Sequence, residues 1–258
     1  MVRVFVTGSS DGIGLAAAKL LASHGHQVTL HARNASRAAE AQQALPAAER
    51  VLVADISNVA GAKDLAAQAN ASGPWDCVVH NAGLGFTGTK WKTADGIAAT
   101  FAVNTLAPYV ITSLMEKPKR LLYLSSSLHM SGDANLEDVT WAKRWERHDA
   151  MQAYSDTKLH DVMLVKAVAR RWPDVQSCSL DPGWVKTKMG GSGAPGTTEK
   201  PAGAIAEFAA GTGVTSGQTG VYFNPSGIQK PHKGALRDEQ QDRLITLCEE
   251  MSGSKLAQ

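Results

Sequence analysis

Cysteine is scarce and unpatterned here: Cys77, Cys178 and Cys248 are odd in number and far apart in 258 residues. No CxxC and no cysteine–histidine spacing of a zinc site occurs, which argues against a disulfide framework and against a metal. Three reduced thiols, and a first segment that reads as a strand rather than a signal peptide, predict a cytoplasmic protein. An excess of either charge is also missing. The 26 basic and 24 acidic residues leave a net +2, which gives no footprint for nucleic acid and no acidic tail. No apolar run approaches the roughly 20 residues of a membrane span. Linkers rich in proline and serine, composition shifts and internal repeats are absent too, so residues 1–258 read as one domain. What is present is a 43% apolar share, ample for a core, and a mild glycine excess of 24 residues. The positions of those glycines carry more information than their number.

Short β-branched runs alternate with helical periodicity along the chain. Strands are predicted at Val2–Val6, Gln27–His31, Arg50–Ala54, Trp75–His80, Arg120–Leu124, Val175–Leu180 and Gly220–Phe223. Helices are predicted at Ile13–Ser23, Ser36–Leu45, Val59–Ala71, Ala94–Met115, Ala153–Arg171, Pro201–Ala210 and Asp238–Met251. This alternation predicts an α/β fold: a doubly wound, Rossmann-like domain with a parallel sheet of about seven strands flanked by helices. Ligands of such sheets bind at the carboxyl ends of the strands. The loose segment at about 188–200, containing Gly190 to Thr198, falls at that edge and reads as a surface loop or as a lid over a substrate.

The first strand runs into Thr7-Gly8-Ser9-Ser10-Asp11-Gly12-Ile13-Gly14, which opens the first helix. Gly8, Gly12 and Gly14 permit a tight turn and close backbone approach. The turn from Ser10 and Asp11 through Ile13 leads into a helix N-terminus whose free N–H groups suit a pyrophosphate. The spacing is G-x3-G-x-G rather than G-x-G-x-x-G. At the end of the second strand the chain reads Leu30-His31-Ala32-Arg33-Asn34, without the acid that would bind adenosine ribose hydroxyls. Arg33, beside Asn34 and with help from Arg37, is placed to meet a 2′-phosphate. The expected cofactor is therefore NADP(H) in preference to NAD(H).

Tyr154 and Lys158, in Tyr154-Ser155-Asp156-Thr157-Lys158, are four residues apart on a predicted helix and share a face. An ammonium beside a phenol favours the phenolate, so the tyrosine could act as acid or base near neutral pH. With these motifs stand Asp55 after the third strand, Asn81-Ala82-Gly83 after the fourth and Asn104 in the next helix. Ser125-Ser126-Ser127 follows the fifth strand, and Pro182-Gly183-Trp184-Val185-Lys186-Thr187 the sixth. In this order and spacing, over residues 2–190, the chain resembles the short-chain dehydrogenase/reductase family.

The resemblance implies roles. Tyr154 would pass the proton, Ser126 would hydrogen-bond the substrate oxygen, and Lys158 would hold the nicotinamide ribose and lower the tyrosine pKa. Asn104 would hold a water linking Lys158 to solvent. Ser127 is the alternative to Ser126. Asp55 and Ile56 would bracket the adenine, and Asn81, Ala82 and Gly83 would line the cofactor. Pro182, Gly183, Val185 and Thr187 would meet the nicotinamide end, with Trp184 and Met189 as substrate walls. Each has a plain structural alternative: Asp55 as a helix cap, Asn81 as an amide that stabilises a strand, Pro182-Gly183 as a turn.

Three features depart from the usual pattern. His80 replaces the asparagine that commonly precedes Asn-Ala-Gly, and would hydrogen-bond backbone. Asp181 precedes Pro182 and would pair with a cation such as Lys186. An insertion at about 131–152 resembles the branch of retinol dehydrogenases and WW-domain oxidoreductases. Its run from Lys143 to His148 reads as a solvated helix face, and Trp141 or Trp145 could flank a substrate entrance. His129 reads as packing rather than chemistry. The segment from Pro225 to His232 could cover the pocket or a subunit contact. The function expected from the resemblance is an NADP(H)-dependent oxidoreductase interconverting a small-molecule carbonyl and alcohol, as a monomer, homodimer or homotetramer. The alternatives are a non-catalytic NADP(H)-binding sensor or partner protein on the same fold, and, disfavoured by the short C-terminal portion, an epimerase or dehydratase.

Overall fold

In the computed structural model, residues 1–86, 92–147 and 149–257 are described, Trp145 without its side chain. The predicted apolar runs become β1 (Arg3–Val6), β2 (Gln27–Ala32), β3 (Arg50–Val53) and β4 (Cys77–His80). They continue as β5 (Arg120–Leu124), β6 (Gln176–Leu180) and β7 (Val221–Asn224). These seven pair in parallel in the order β3-β2-β1-β4-β5-β6-β7. An eighth, β8 (Gly227–Gln229), turns back antiparallel on β7. Its three residues, Gly-Ile-Gln, are too few to show alternation, so the expected seven strands become eight.

The helices are α1 (Gly12–Ser23), α2 (Ala35–Ala44), α3 (Val59–Ser72), α4 (Ala99–Phe101), α5 (Ala107–Leu114), α6 (Ala150–Arg171), α7 (Glu199–Ala210) and α8 (Asp238–Ser252). Successive strand residues face opposite layers, as the pleat requires. Val4, Val6, Val79 and Leu122 pack with Ala17, Leu21, Ile205 and Phe208 of α1 and α7. Phe5, Val78, Leu121 and Tyr123 pack with Leu65, Val110, Leu159, Val162 and Leu244 on the other side. Both faces of the sheet are thus dry, which is why its strands read as unbroken apolar runs. Strand order reverses between β1 and β4, so the crevice for a ligand opens at their carboxyl ends, where the glycine turn and Asn81-Ala82-Gly83 emerge.

The segment expected as one helix over Ala94–Met115 begins at Ala99 and widens into a π turn at Ala102–Leu106 before α5. Asn104 lies in that turn, an arrangement often found at functional positions. No helix among the described residues is long and apolar enough to cross a membrane.

The insertion differs from expectation. Its charged run forms no helix face but one 3-10 turn at Trp145–Arg147; His148 lies outside the described residues. Arg144 is not solvated: it approaches Asp133, Asp138 and Asp156 and lies 4.1 Å over the Trp141 ring. Trp141 is fully buried rather than at an entrance, and its Nε1 donates to Asp156 Oδ2 at 3.1 Å. The insertion is thus pinned to α6 two residues from Tyr154, through the aspartate inside the Tyr-x3-Lys motif. Trp141→Ala is expected to lower unfolding stability by about 3–5 kcal/mol, the usual range for emptying a buried tryptophan site. Chemical denaturation with a tryptophan-independent probe checks this.

Candidate active site

The glycine turn is built by reciprocal bonds between β1, β2 and β4. Gly8 adopts φ +60°, and a Cβ there would lie 2.6 Å from the Ala82 Cα. A Cβ on Gly14 would lie 2.4 Å from the Asn81 side-chain nitrogen. That amide donates to the carbonyls of Thr7 and Gly8 at 2.9 and 3.0 Å, so Asn81 does brace the strand end. Ala82 and Asn81 N–H groups both donate to Thr7 Oγ1.

His31, read above only as part of a segment without an acid, is a working part of the turn. Its Nδ1 accepts the Gly8 N–H at 3.0 Å while Nε2 donates to the Ala54 carbonyl at 3.0 Å. The Gly8 N–H is therefore occupied. Among the described residues the N–H groups of Gly12, Ile13 and Gly14 have no partner, and Asp11 at the N-cap makes no side-chain cap bond. These three donors at a helix N-terminus are what a pyrophosphate needs.

Around the turn, Asn34 caps α2 by accepting from the Arg37 N–H, and Arg33 is exposed with no ion pair among the described residues. Arg37 is engaged instead, with Ser10, Asp11 and Glu40. Asp11 also meets Lys188 Nζ at 2.9 Å, which ties the glycine turn to the 188–200 loop. Burial lifts the Asp11 carboxyl, but Lys188 and Arg37 outweigh it and hold it below the usual range. The loop itself is folded back on the strand-six exit rather than loose. Lys186 N–H donates to the Gly196 carbonyl, Trp184 Nε1 to the Gly190 carbonyl, and Gly190 N–H to Thr187 Oγ1.

Asp55 is exposed and caps the Ser57 N–H, while Asn58, not Asp55, is the N-cap of α3; Ile56 turns into the core. Thr187 Cγ2 lies 3.5 Å from where a Gly12 Cβ would be, so the exit of β6 meets the glycine turn. Asp181 does not pair with Lys186. It accepts from the Gly183 N–H at 2.9 Å and from the Tyr222 hydroxyl at 3.2 Å. Likewise His80 bonds no backbone: its Nε2 meets Thr112 Oγ1 at 3.0 Å, and burial pushes its pKa to about 3.

The expected catalytic side chains cluster where the carboxyl end of β5 faces α6. Tyr154 and Lys158 sit one turn apart, with Lys158 Nζ 5.6 Å from the Tyr154 ring centre. Ser125 is turned away, donating to the Lys158 carbonyl. Burial raises the Tyr154 phenol above the ordinary tyrosine value, and Ser126, which faces it, opposes that rise. The Ser126 hydroxyl oxygen accepts from the Leu128 N–H, leaving its proton to donate. Ser127 is exposed at the start of a 3-10 turn, Ser127–Ser131. Asn104 grips the backbone of Leu84, accepting from its N–H at 2.7 Å and donating to its carbonyl at 3.0 Å, and donates to Thr157 Oγ1. Gly83 lies against both Asn104 and Lys158.

Three further side chains act here: Asp161 and Phe86 carried no signal in the motifs, and His129 packs as expected. Asp161 accepts from Lys158 Nζ at 2.9 Å, and only its i+3 spacing from the lysine could have pointed to it. Phe86 packs edge-on to Tyr154, with ring centres 5.8 Å apart. His129, fully buried, donates from Nδ1 to the Ser126 carbonyl and accepts the His232 N–H at Nε2, so the segment after β8 is latched to the serine turn. Among the expected substrate walls, Met189 reaches Gly85, where a Cβ would lie 2.7 Å from its Cγ. Trp184 is exposed and borders a cleft of about 350 Å³ between Asp181–Val185, Pro195–Thr197 and Asn224–Ser226.

A family model described as short chain dehydrogenase matches residues 3–119. An uncharacterized oxidoreductase of Emericella nidulans, AN7799, is 51% identical over 98% of both chains. A short-chain dehydrogenase of Gibberella zeae, chry4, is 42% identical over 99% of both. The chain belongs to the short-chain dehydrogenase family, whose members are nicotinamide-dependent oxidoreductases. Retinol dehydrogenase 13 of Homo sapiens is 28% identical over 72% of this chain and 60% of its own length. That similarity is consistent with the resemblance of the insertion to retinol dehydrogenases and WW-domain oxidoreductases. Among solved structures, an uncharacterized protein from Mycobacterium Paratuberculosis has the same fold, with a TM-score of 0.81 at 22% identity over 100% of this chain and 96% of that one.

Proposed function

We propose that this protein is an NADP(H)-dependent oxidoreductase that interconverts a small-molecule carbonyl and an alcohol, with Tyr154 moving the proton. The observation that carries the reading is the cluster of Tyr154, Ser126 and Lys158 at the crevice that the glycine turn also borders. The residues fit a dinucleotide: Gly8 and Gly14 leave spaces a Cβ would fill, and three N–H groups of α1 lack partners. The nicotinamide, when bound, supplies the hydride. Ser126 donates a hydrogen bond to the carbonyl oxygen and steadies charge developing there. Tyr154 gives its phenolic proton to that oxygen, and solvent returns one to the phenol. Lys158 fixes the electrostatics of the phenol, and Asn104 holds the Leu84 backbone beside it. In alcohol oxidation the same proton moves the other way. The protein itself positions and polarises.

Preference for NADP(H) is supported by Arg33. It is exposed and carries no ion pair among the described residues, no acid ends β2, and Arg37 is already matched by Asp11 and Glu40. Arg33→Ala is expected to weaken NADPH binding roughly ten- to hundredfold, one charge-assisted hydrogen bond, and to leave NADH nearly unchanged. Fluorescence titration of both cofactors checks this; equal losses contradict the assignment. The reaction itself is tested by following NADPH oxidation against a panel of aldehydes and ketones.

A further inference from the structure

Lys158 Nζ is buried between two oxygens. It donates to the Leu124 carbonyl at 2.6 Å and to the Asp161 carboxylate at 2.9 Å. Lys158 and Asp161 are 7% and 4% exposed at their side chains, so water does little to screen them. An ammonium alone beside Tyr154 would pull its proton off. A carboxylate on the far side of that ammonium brings the charge next to the phenol close to zero.

We infer that Asp161 is a positioning residue: it holds Lys158 Nζ one turn from Tyr154 and neutralises it, setting the phenol to give a proton to a carbonyl rather than take one from an alcohol. This rests on reading Tyr154 and Lys158 as the acid–base pair.

The surrounding charges agree. Burial raises Tyr154 above the ordinary tyrosine value; Lys158 and Ser126 oppose the rise, while Asp161 and, from the end of β6, Asp181 add to it. From β5, Tyr123 faces Asp161 and stays a neutral phenol, raised by its own burial first. Behind it, through Thr112, His80 of β4 is neutral as well. Burial lifts Asp161 to about 6 against the pull of Lys158, so above that pH it is a carboxylate. Nothing else charged faces the pair among the described residues. In the reaction the proton leaves Tyr154 Oη for the carbonyl oxygen as NADPH supplies the two electrons and becomes NADP+.

The variant Asp161→Asn keeps an oxygen for Nζ and the same size while removing the charge. In the pH profile of kcat/KM for NADPH-dependent reduction, the alkaline limb marks loss of the proton from the Tyr154–Lys158 pair. That limb is expected to move down by about 1–3 pH units in Asp161→Asn, the size expected of one close charge. Asp161→Glu is expected to return it toward wild type. A loss of rate at all pH values with the limb unmoved overturns the inference. A second measurement needs no turnover: ultraviolet titration of phenolate in the cofactor-free protein, with Tyr154→Phe subtracted. Wild-type Tyr154 is expected to titrate above the ordinary value near 10 and the Asp161→Asn protein lower. A wild-type titration below that value, or an identical one in the variant, overturns the inference. If no carbonyl is turned over while the titration shifts as expected, the functional reading fails, and what stands is that Asp161 neutralises Lys158 and keeps the phenol protonated.

Discussion

Tyr154→Phe is expected to lower kcat for carbonyl reduction by about 10²–10⁴-fold, the contribution general acid catalysis usually makes. The phenyl ring keeps the packing against Phe86 and the approach of Lys158, so only the proton-bearing oxygen is lost. Because the proton moves in the transition state and not on binding, the loss falls on kcat and kcat/KM together. NADPH affinity is expected to stay close to wild type, since the partner-free N–H groups of α1 and the exposed Arg33 lie in the glycine turn and after β2, far along the chain from Tyr154. Steady-state kinetics beside a cofactor titration separate the two. A variant that loses cofactor binding in step with activity would show that Tyr154 acts through the fold.

Gly8→Val is expected to abolish cofactor binding and to destabilise the protein. The side chain would enter the Ala82 backbone, with Cα at 2.6 Å and N at 3.1 Å, and backbone just after β4 cannot swing aside as a side chain can. The residue must also hold φ +60°, which disfavours any β-branched residue. Left-handed backbone and overpacking together amount to about 2–5 kcal/mol. Gly25→Ala is the control. It has φ +78° and no atom within 4 Å, so only the backbone contribution of about 1–2 kcal/mol is expected, with NADPH affinity intact. Differential scanning fluorimetry with and without NADPH reads both effects. Equal behaviour of the two variants would mean that the close approach of Gly8 and Ala82 does not shape the cofactor site.

The layering of the fold was legible because both faces of the sheet are buried. Runs such as Cys77-Val78-Val79 and Arg120–Leu124 stand out as apolar stretches between helical patterns, and β5 has the bounds expected. The helix around Asn104 was not. Its apolar residues keep helical periodicity, but the bonds from Asn104 to the Leu84 backbone and Thr157 draw the chain into a π turn. That is a tertiary decision no local pattern records. At the site, the tyrosine, lysine and glycines were readable because their chemistry fixes their spacing. Asp161 was not, since an aspartate three residues beyond a lysine is usually an exposed helix pair, and only burial against β5 gives it leverage. In the charged insertion Lys143, Glu146 and Arg147 are exposed as expected, and only Arg144 departs, lying over Trp141 and beside the buried Asp156, a tertiary contact that composition does not record.

The most direct test of carbonyl–alcohol chemistry is isotope transfer. Wild-type protein is incubated with a carbonyl it consumes and NADPH carrying deuterium at C4, and the product alcohol is analysed by mass spectrometry and NMR. The account requires one deuterium at the carbinol carbon, from one face of the nicotinamide, with the hydroxyl proton drawn from solvent and product lost in Tyr154→Phe. Alcohol formed without deuterium at that carbon, or NADPH bound with no carbonyl of a broad panel consumed, would contradict it.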